Sequence, residues 1–260
     1  TTLGFSGIAE NSEKSHVQGF IRLKPSEDAR ILPNHVILIL DLSLSMAGNI
    51  SSLKESIKLI IDRLETLRDK CTIIGFAGET KLFCEFMSIQ SLHKEFDSIV
   101  IKQLSTLEGT TDFKAGVNKT ISTMDRLAMS YPPNCASKGN EVMELNAHNN
   151  IAIFMTDGKN YGNVPWAAVD ELANQQVTLH TVGLSKNIDK EVRQTLLKMA
   201  RIGGGGFNFS KTIADFHKKV DTLLDLSLNA VTKPAKLQIS PRPEVTIINS
   251  TIIGHPEQAS

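Results

Sequence analysis

The sequence lacks both the charge excess and the long apolar run that would point to nucleic acid or to a membrane. Lys and Arg together number 28 and Asp and Glu together number 28, so the formal net charge is zero. A nucleic-acid-binding domain usually carries a basic excess or a basic stripe, and a membrane-spanning helix needs about 20 consecutive apolar residues. We therefore expect no nucleic-acid partner and no transmembrane segment.

Cysteine is also scarce, with only Cys71, Cys84 and Cys135 in the chain. Their number and spacing argue against a disulfide framework and against a zinc site. Cys71 and Cys84 fall in two predicted neighbouring strands, where they either pair with each other or remain buried free thiols. No basic segment followed by an apolar one stands at the N-terminus, as it would in a signal peptide. These features favour an intracellular setting.

The chain is organised around residues 35–46, which read HVILILDLSLSM. Residues 36–40 form an unbroken apolar run that contains β-branched residues, which predicts a strand buried on both faces. Asp41, Ser43 and Ser45 follow this strand and alternate with leucines. Three hard oxygen donors in one short loop suit Mg²⁺, Mn²⁺ or Ca²⁺ rather than zinc. The alternative is a polar turn in which one of the serines only caps the next helix.

Strands alternate with amphipathic helices through most of the remaining chain. Helical periodicity predicts helices over residues 51–67 and 92–104, one ending at 129, one beginning near 165, and two over 189–201 and 213–228. Short apolar runs predict strands at residues 71–76, 81–87, 150–155, 177–184 and 207–209, of which the first two form an antiparallel hairpin. This alternation indicates an α/β fold with a doubly wound, mainly parallel sheet and helices on both faces.

Several local features within this region carry predictions of their own. Ser51 or Ser52 is positioned to cap the first helix, and the glycine run at residues 203–206 is interpreted as a helix stop and turn. The seven histidines show no pairing typical of metal ligands. His35 and His180 lie at or inside strands and are therefore predicted to be structural.

The flanks of the chain break the alternation of strands and helices. Further strands without intervening helices are predicted at residues 17–23, 236–240 and 245–253. We therefore divide the chain into an N-terminal β flank (residues 1–33), a central α/β domain (34–229) and a C-terminal β flank (230–260). The two flanks are expected to pack together as a small β region.

Two further segments place oxygen donors at the ends of predicted strands. Thr110 and Thr111 lie in a polar loop rich in Gly and Thr, and Asp157 follows the strand at residues 150–155. The carboxyl ends of parallel strands meet at one edge of a sheet, which is where ligands bind in open α/β folds. We therefore expect these donors to converge with the loop that begins at Asp41.

This joint arrangement resembles the von Willebrand factor A domain and its metal-ion-dependent adhesion site. The family pattern is Asp-x-Ser-x-Ser after the first strand, a Thr in a Gly-Gly-Thr-(Asn/Asp) loop, and Thr-Asp-Gly after the fourth strand. The matching segments here are Asp41-Leu-Ser43-Leu-Ser45, Gly109-Thr-Thr111-Asp and Thr156-Asp157-Gly158. The resemblance extends over about residues 34–229.

The resemblance implies that Ser43, Ser45 and Thr111 supply oxygens to a divalent cation. It also implies that Asp41 and Asp157 bind that ion directly or through water. Mg²⁺ is the expected ion, with Mn²⁺ or Ca²⁺ as alternatives. In this family the ion accepts one further carboxylate, from an Asp or Glu of a partner protein. The resemblance thus implies a non-enzymatic protein-binding module.

The sequence departs from the family pattern at two positions, neither of which removes a ligand. Leu44 stands where many relatives have Gly, so it either restricts the loop or adds an apolar rim to the site. Thr110 replaces the second Gly of the loop, which leaves two candidate threonines, and spacing to the next helix favours Thr111.

Tyr161 and Trp166 follow the third segment, where they contribute to a partner-binding rim, unless Trp166 packs on the following helix.

Other functions fit the sequence less well. A metal-dependent phosphotransferase of the haloacid-dehalogenase type also has an Asp after a buried strand, but its second Asp would stand at Ser43. The sequence has neither a nucleotide-binding glycine motif after a strand nor a Gly-x-Ser-x-Gly elbow. The remaining alternative is a domain that keeps this fold, binds no metal and acts as a scaffold within a larger assembly.

Overall fold

The computed structural model describes residues 2–5, 19–22, 32–131, 145–158, 160–184, 189–210 and 212–228. The chain divides into two units, residues 1–31 and residues 32–260. In the first unit, β1 (Thr2–Phe5) pairs antiparallel with β2 (Gly19–Arg22). The second of these strands was predicted from the sequence, and the first was not. The predicted C-terminal strands, and the packing of the two flanks, lie outside the described residues.

The second unit alternates strands and helices as the sequence predicted. Its described strands are β3 (Asn34–Asp41), β4 (Lys70–Phe76), β5 (Thr80–Ser88), β6 (Asn149–Thr156), β7 (Val177–Leu184) and β8 (Gly204–Ser210). Its described α-helices are α1 (Ile50–Asp62), α2 (Ile89–Phe96), α3 (Phe113–Ser130), α4 (Trp166–Asn174), α5 (Lys190–Ile202) and α6 (Ile213–Ser227). Within these ranges no helix is both long and apolar enough to cross a bilayer.

The strands of the second unit form one sheet in the order β5-β4-β3-β6-β7-β8. All neighbouring pairs run parallel except β4 and β5, which form the predicted antiparallel hairpin. The predicted doubly wound, mainly parallel α/β fold is therefore confirmed. Because the strand order reverses at β3, the ends of β3 and β6 face the crevice in which such folds bind ligands.

β3 lies in the middle of the sheet and every one of its residues is buried. Val36, Leu38 and Leu40 join one hydrophobic cluster with residues of α1 and α6. Ile37 and Ile39 point the other way and join a second cluster with residues of α3, α4 and α5. Successive side chains of a strand alternate between the two faces of a sheet, so an uninterrupted apolar run serves both cores.

The structure corrects three local predictions. Ser51 and Ser52 do not cap α1 but lie inside it, because a 3₁₀ helix at Leu44–Asn49 leads directly into α1. The helix predicted over residues 92–104 begins earlier, at Ile89, where Ser88 caps it, and it ends in a π-helical turn at Asp97–Lys102.

The third correction concerns the glycine run: Gly203 ends α5 as predicted, but the three glycines that follow it do not form a turn. Gly204, Gly205 and Gly206 belong to β8. A Cβ at Gly205 would collide with the carbonyl oxygen of Leu179 on β7, so the absence of a side chain allows the two strands to approach. Their register is irregular at this point, which glycine also tolerates.

The two histidines in strands are structural, as predicted. His35 is fully buried, and its ring nitrogens lie 3.0 Å from Asn150 Oδ1 and 2.8 Å from Thr72 Oγ1. Burial is the main cause that lowers the pKa of His35 to about 3. His180 Nδ1 accepts a hydrogen bond of 2.9 Å from the backbone of Gly206, which helps to hold β8 in place.

Candidate metal centre

The candidate site begins where β3 ends. Asp41 is the last residue of this strand, and its Oδ1 accepts a hydrogen bond of 2.9 Å from the backbone N–H of Ser43. The backbone of Leu42 joins neighbouring segments, since its N–H donates to Phe76 O (2.8 Å) and its carbonyl accepts from Leu107 N (2.7 Å). The loop is thus fixed against the end of β4 and against the segment that carries the threonines.

Ser43 and Ser45 do not act as helix caps. Ser43 occupies the N-cap position of the 3₁₀ helix, but its side chain makes no capping hydrogen bond. The two hydroxyl oxygens instead lie 3.1 Å apart and face the same space. Met46, fully buried, anchors the turn that follows. The serine side chains are therefore not used as helix caps, and their hydroxyls face the candidate site at this edge of the sheet.

A chain of hydrogen bonds joins the three predicted segments. Thr111 Oγ1 donates to Ser43 Oγ at 2.9 Å, and Ser45 Oγ donates to Asp157 Oδ1 at 2.8 Å. The structure therefore brings together all five residues singled out in the sequence. Thr110 is exposed, whereas Thr111 is buried and belongs to the hydrogen-bonded chain, so the geometry favours Thr111 over Thr110 as the site residue.

Two residues that hold the site carboxylates were not predicted from the sequence. Thr156, the last residue of β6, donates from Oγ1 to Asp41 Oδ2 at 2.5 Å. Asn49 donates from Nδ2 to Asp157 Oδ2 at 3.0 Å. Thr156 could have been found from its place at a strand end next to Asp157. Nothing in the sequence distinguishes Asn49, because the 3₁₀ helix that brings it into the site was not predicted.

The site grades from a buried floor to an open mouth. Asp41, Ser43 and Thr111 are almost completely buried, Asp157 is half-buried and Ser45 is exposed. Burial raises the pKa of Asp41 above its ordinary value, against the hydrogen bonds from Thr156 and Ser43, and the charge of Asp157 raises it further. A buried carboxylate that also feels the charge of a second one favours a compensating cation.

The space between these oxygens is open because residue 158 is glycine. A Cβ built on Gly158 would lie 3.3 Å from both Ser45 Oγ and Thr111 Oγ1, and 3.8 Å from Asp41 Oδ2. The oxygens therefore surround a space that a single methyl group would fill. Two carboxylates and three hydroxyls form a hard-oxygen donor set that suits Mg²⁺, Mn²⁺ or Ca²⁺.

In the described part of the chain, the candidate site included, no three or more His, Cys, Asp or Glu side chains gather as a metal centre of those residue types would require. Cys71 and Cys84 are buried free thiols, as one of the two sequence-based alternatives predicted. A cation would therefore depend on the hydroxyl-containing cluster at the end of β3.

The loop that carries Thr110 and Thr111 is held by the start of α3. Asp112 caps this helix, accepting a hydrogen bond of 2.9 Å from the backbone of Lys114. Phe113 follows directly and packs edge-on against Phe76 and Phe154, with ring centroids 6.3 Å and 5.0 Å away. This aromatic cluster lies between α3 and the sheet, and it therefore holds the start of α3, and with it Thr111, in position relative to the strand ends.

The loop after β6 is held against the same helix. Asn160 Oδ1 accepts hydrogen bonds from the backbone of Phe113 (3.0 Å) and of Gly162 (3.3 Å). The side chain of Tyr161 is exposed, and its predicted role in a partner-binding rim stays a prediction. Trp166 instead packs inward, where Lys198 Nζ of α5 lies 4.2 Å from the centre of its ring, as the alternative prediction for this residue stated.

The structure is thus a doubly wound α/β domain in which carboxylates and hydroxyls gather at the ends of β3 and β6. The sequence profile of the von Willebrand factor type A domain matches residues 35–221, and the chain belongs to this family. Domains of this family commonly mediate protein–protein interactions through the metal-ion-dependent adhesion site, and they are generally not enzymes.

Individual relatives are more distant. The chain is 23% identical over 240 residues to the uncharacterized protein YfbK of Escherichia coli (strain K12), a match that covers 90% of this chain and 38% of that protein. The chain thus spans well under half the length of this curated relative.

Solved structures agree in fold. A von Willebrand factor type A protein from Catenulispora acidiphila matches with a TM-score of 0.60 and 15% identity, over 76% of this chain and 43% of that chain. Proximal thread matrix protein 1 from the mussel byssus, with a zinc-occupied MIDAS motif, matches with a TM-score of 0.57 and 17% identity, over 78% and 50%. At these identities the likeness shows the fold alone.

Proposed function

We propose that this domain binds a partner protein through a divalent cation held by the site at the end of β3. The ion is Mg²⁺, with Mn²⁺ or Ca²⁺ as alternatives, and the partner supplies an Asp or Glu carboxylate as a further ligand. The observation that carries the proposal is the convergence of oxygens around the space beside Gly158. The five residues that would hold the ion are Asp41, Ser43, Ser45, Thr111 and Asp157.

The composition of the donor set explains why a partner carboxylate would be needed. Three of the five donors are neutral hydroxyls, which offset little of the positive charge of the ion. Mg²⁺ favours about six oxygen ligands and commonly keeps water at some of them. An ion held in this way retains an attraction for one more anionic oxygen, and the exposed mouth at Ser45 leaves room for it to enter.

Isothermal titration with Mg²⁺ and with Mn²⁺ tests the metal site. We expect one-site binding by the wild type and its loss in both Asp41→Ala and Asp157→Ala. Asp62→Ala is the matched control, because Asp62 is an exposed carboxylate on α1 that pairs with Lys58 and lies 3.9 Å from His93, away from the site. Equal binding by all four proteins would overturn the assignment of the site.

A second candidate function is a metal-free scaffold within a larger assembly. The observation in its favour is that the hydroxyls of Ser43, Ser45 and Thr111 already satisfy one another and Asp157 by hydrogen bonding. Measuring capture of a partner in Mg²⁺ and in chelator separates the two functions. Capture that does not change in chelator and persists in Asp157→Ala would favour the scaffold.

A further inference from the structure

Two exposed apolar residues have their backbone next to residues of the candidate metal centre. Leu44 is 67% exposed and lies between Ser43 and Ser45 in the chain. Tyr161 is 71% exposed, and its backbone N–H donates a hydrogen bond of 3.0 Å to the carbonyl of Thr111. Leu44 is thus covalently linked to two site residues, and the backbone of Tyr161 is hydrogen-bonded to a third. We refer to Leu44 and Tyr161 as the apolar rim.

Isolated exposed apolar residues are common and carry no meaning alone. The apolar rim differs in how firmly its backbone is held. Leu44 opens the 3₁₀ helix that the buried side chain of Met46 anchors. Tyr161 follows Asn160, whose side-chain oxygen accepts hydrogen bonds from the backbone of Phe113 at the start of α3 and of Gly162 in the loop. Side chains presented from fixed backbone lose little conformational freedom on binding, so their contacts contribute more fully to affinity.

The charges around the site limit which acidic segment can approach. Glu108 is exposed in the same loop as Thr111, and Asp112 follows Thr111 directly. With Asp41 and Asp157, four carboxylates belong to these described segments, against one divalent ion and the exposed Lys114, so their formal charge stays negative. A run of acidic residues would meet repulsion beyond the one carboxylate that reaches the ion.

We propose that the partner segment carries a single acidic residue with an aliphatic or aromatic neighbour, and that the apolar rim receives this neighbour. The inference rests on the proposed function and adds the class of sequence that the site selects. The carboxylate reaches the ion, and the adjacent apolar side chain packs on Leu44 or Tyr161. The rim thus supplies sequence selectivity that a carboxylate–metal bond alone cannot give.

Bead-bound peptides test the inference with the full chain, since high display density makes weak binding measurable. Three peptides with Gly-Ser ends carry Leu-Asp-Leu, Ser-Asp-Ser or Glu-Asp-Glu at the centre. Fluorescently labelled protein is bound in Mn²⁺ and in chelator. We expect the Leu-flanked peptide to bind about fivefold more tightly than the Ser-flanked one, the scale of partial burial of one apolar side chain, and the Glu-flanked peptide to bind least.

Variants then assign the preference to the rim. Leu44→Ser and Tyr161→Ser, singly and together, are expected to bring the ratio between the Leu-flanked and Ser-flanked peptides towards one. Met129→Ser is the matched control, because Met129 is 82% exposed on α3 and belongs to neither site nor rim. The ratio is the readout because a general loss of metal affinity would weaken both peptides and leave their ratio unchanged.

The outcomes distinguish this inference from the proposed function. Metal-dependent binding of all three peptides with equal affinity, or preference for the Glu-flanked peptide, would overturn the inference and leave the proposed function standing. A Leu preference that persists in the double variant would overturn the assignment to Leu44 and Tyr161. If none of the three peptides binds in a metal-dependent manner, both the inference and the proposed function are overturned.

Discussion

Asn49 donates a hydrogen bond of 3.0 Å from its side-chain amide to Oδ2 of Asp157. Asn49 stands at the N-cap position of α1, yet its side chain makes no capping bond to that helix. The amide is instead committed to the carboxylate, whose other oxygen accepts from Ser45 at 2.8 Å. Asn49 thus positions Asp157 without being one of the proposed ligands.

Removing this amide should weaken metal binding without affecting the fold. We predict that Asn49→Ala lowers Mn²⁺ affinity about tenfold, since partners that orient a ligand are typically worth this much. The measurement is calorimetric titration, with thermal unfolding in chelator as the check on structure. Asn118→Ala, at an exposed position of α3, is the control. Unchanged affinity in Asn49→Ala would show that Asp157 needs no support.

The two threonines of the loop form a natural matched pair. We predict that Thr111→Val lowers metal affinity by more than about tenfold, because it removes a proposed ligand oxygen, whereas Thr110→Val has little effect. Valine keeps the shape of threonine, so packing around the buried Thr111 is preserved. Metal titration of both variants decides the assignment. A larger loss in Thr110→Val would reverse it.

Gly158 provides a way to block the site without removing any oxygen. Its backbone has no positive φ, so alanine is conformationally acceptable there. A methyl group would lie 3.3 Å from two of the site hydroxyls and occupy the space between them. We predict that Gly158→Ala loses metal binding and lowers the free energy of unfolding in chelator by about 1 kcal/mol, because contacts of 3.3 Å are tight. Wild-type metal affinity in this variant would mean that the ion lies elsewhere.

The raised pKa of Asp41 makes a prediction about stability. Its stabilising contribution is complete below the unfolded pKa near 3.8 and is lost as pH rises through the higher folded value, so at neutral pH the buried charge lowers stability. We predict that Asp41→Asn abolishes metal binding yet stabilises the metal-free protein by about 1 kcal/mol at pH 7. Urea unfolding in chelator measures this. A destabilised variant would contradict the prediction.

His35 predicts how stability responds to acid. Its pKa of about 3 in the folded protein lies below the ordinary value of 6.5, so the neutral ring stabilises the fold above pH 6.5 and that contribution falls as pH decreases. We predict that this residue alone lowers the free energy of unfolding by about 2 kcal/mol between pH 7 and pH 5.

Urea unfolding at the two pH values measures the loss. His35→Asn, which cannot bind the extra proton, should be less stable at pH 7 but should lose about 2 kcal/mol less than wild type on acidification. An identical pH dependence in both proteins would show that another group governs the acid response.

Much of the fold could be predicted because its strands are marked by composition. The central strands are short apolar runs buried on both faces, and Asp41 and Asp157 stand at or directly after the ends of two of them. Position at a strand end is a property of the sequence, so the convergence of Asp41 and Asp157 could be predicted from the order of residues, whereas Thr111 lies before a helix and was indicated by the family pattern. The structure places all three together with the serines.

What could not be predicted depends on close approach between segments. The glycines of β8 look like a turn in the sequence, and only the collision that a side chain at Gly205 would cause with β7 explains their place in a strand. The role of Asn49 depends on a 3₁₀ turn that has no capping signal of its own. Exposure is likewise a tertiary property, which separates Tyr161 at the rim from Trp166 packed on α5.

The backbone of Leu42 has a consequence for protein engineering. Its N–H and carbonyl join the end of β3 to Phe76 on one side and to Leu107 on the other. The position of the loop that carries Ser43 and Ser45 therefore depends on these neighbouring segments. Grafting the Asp-x-Ser-x-Ser segment into another scaffold would therefore transfer the donor atoms without the supports that aim them. The smallest unit that a designer can transplant includes the ends of β3, β4 and β6 and the loop at residues 107–112.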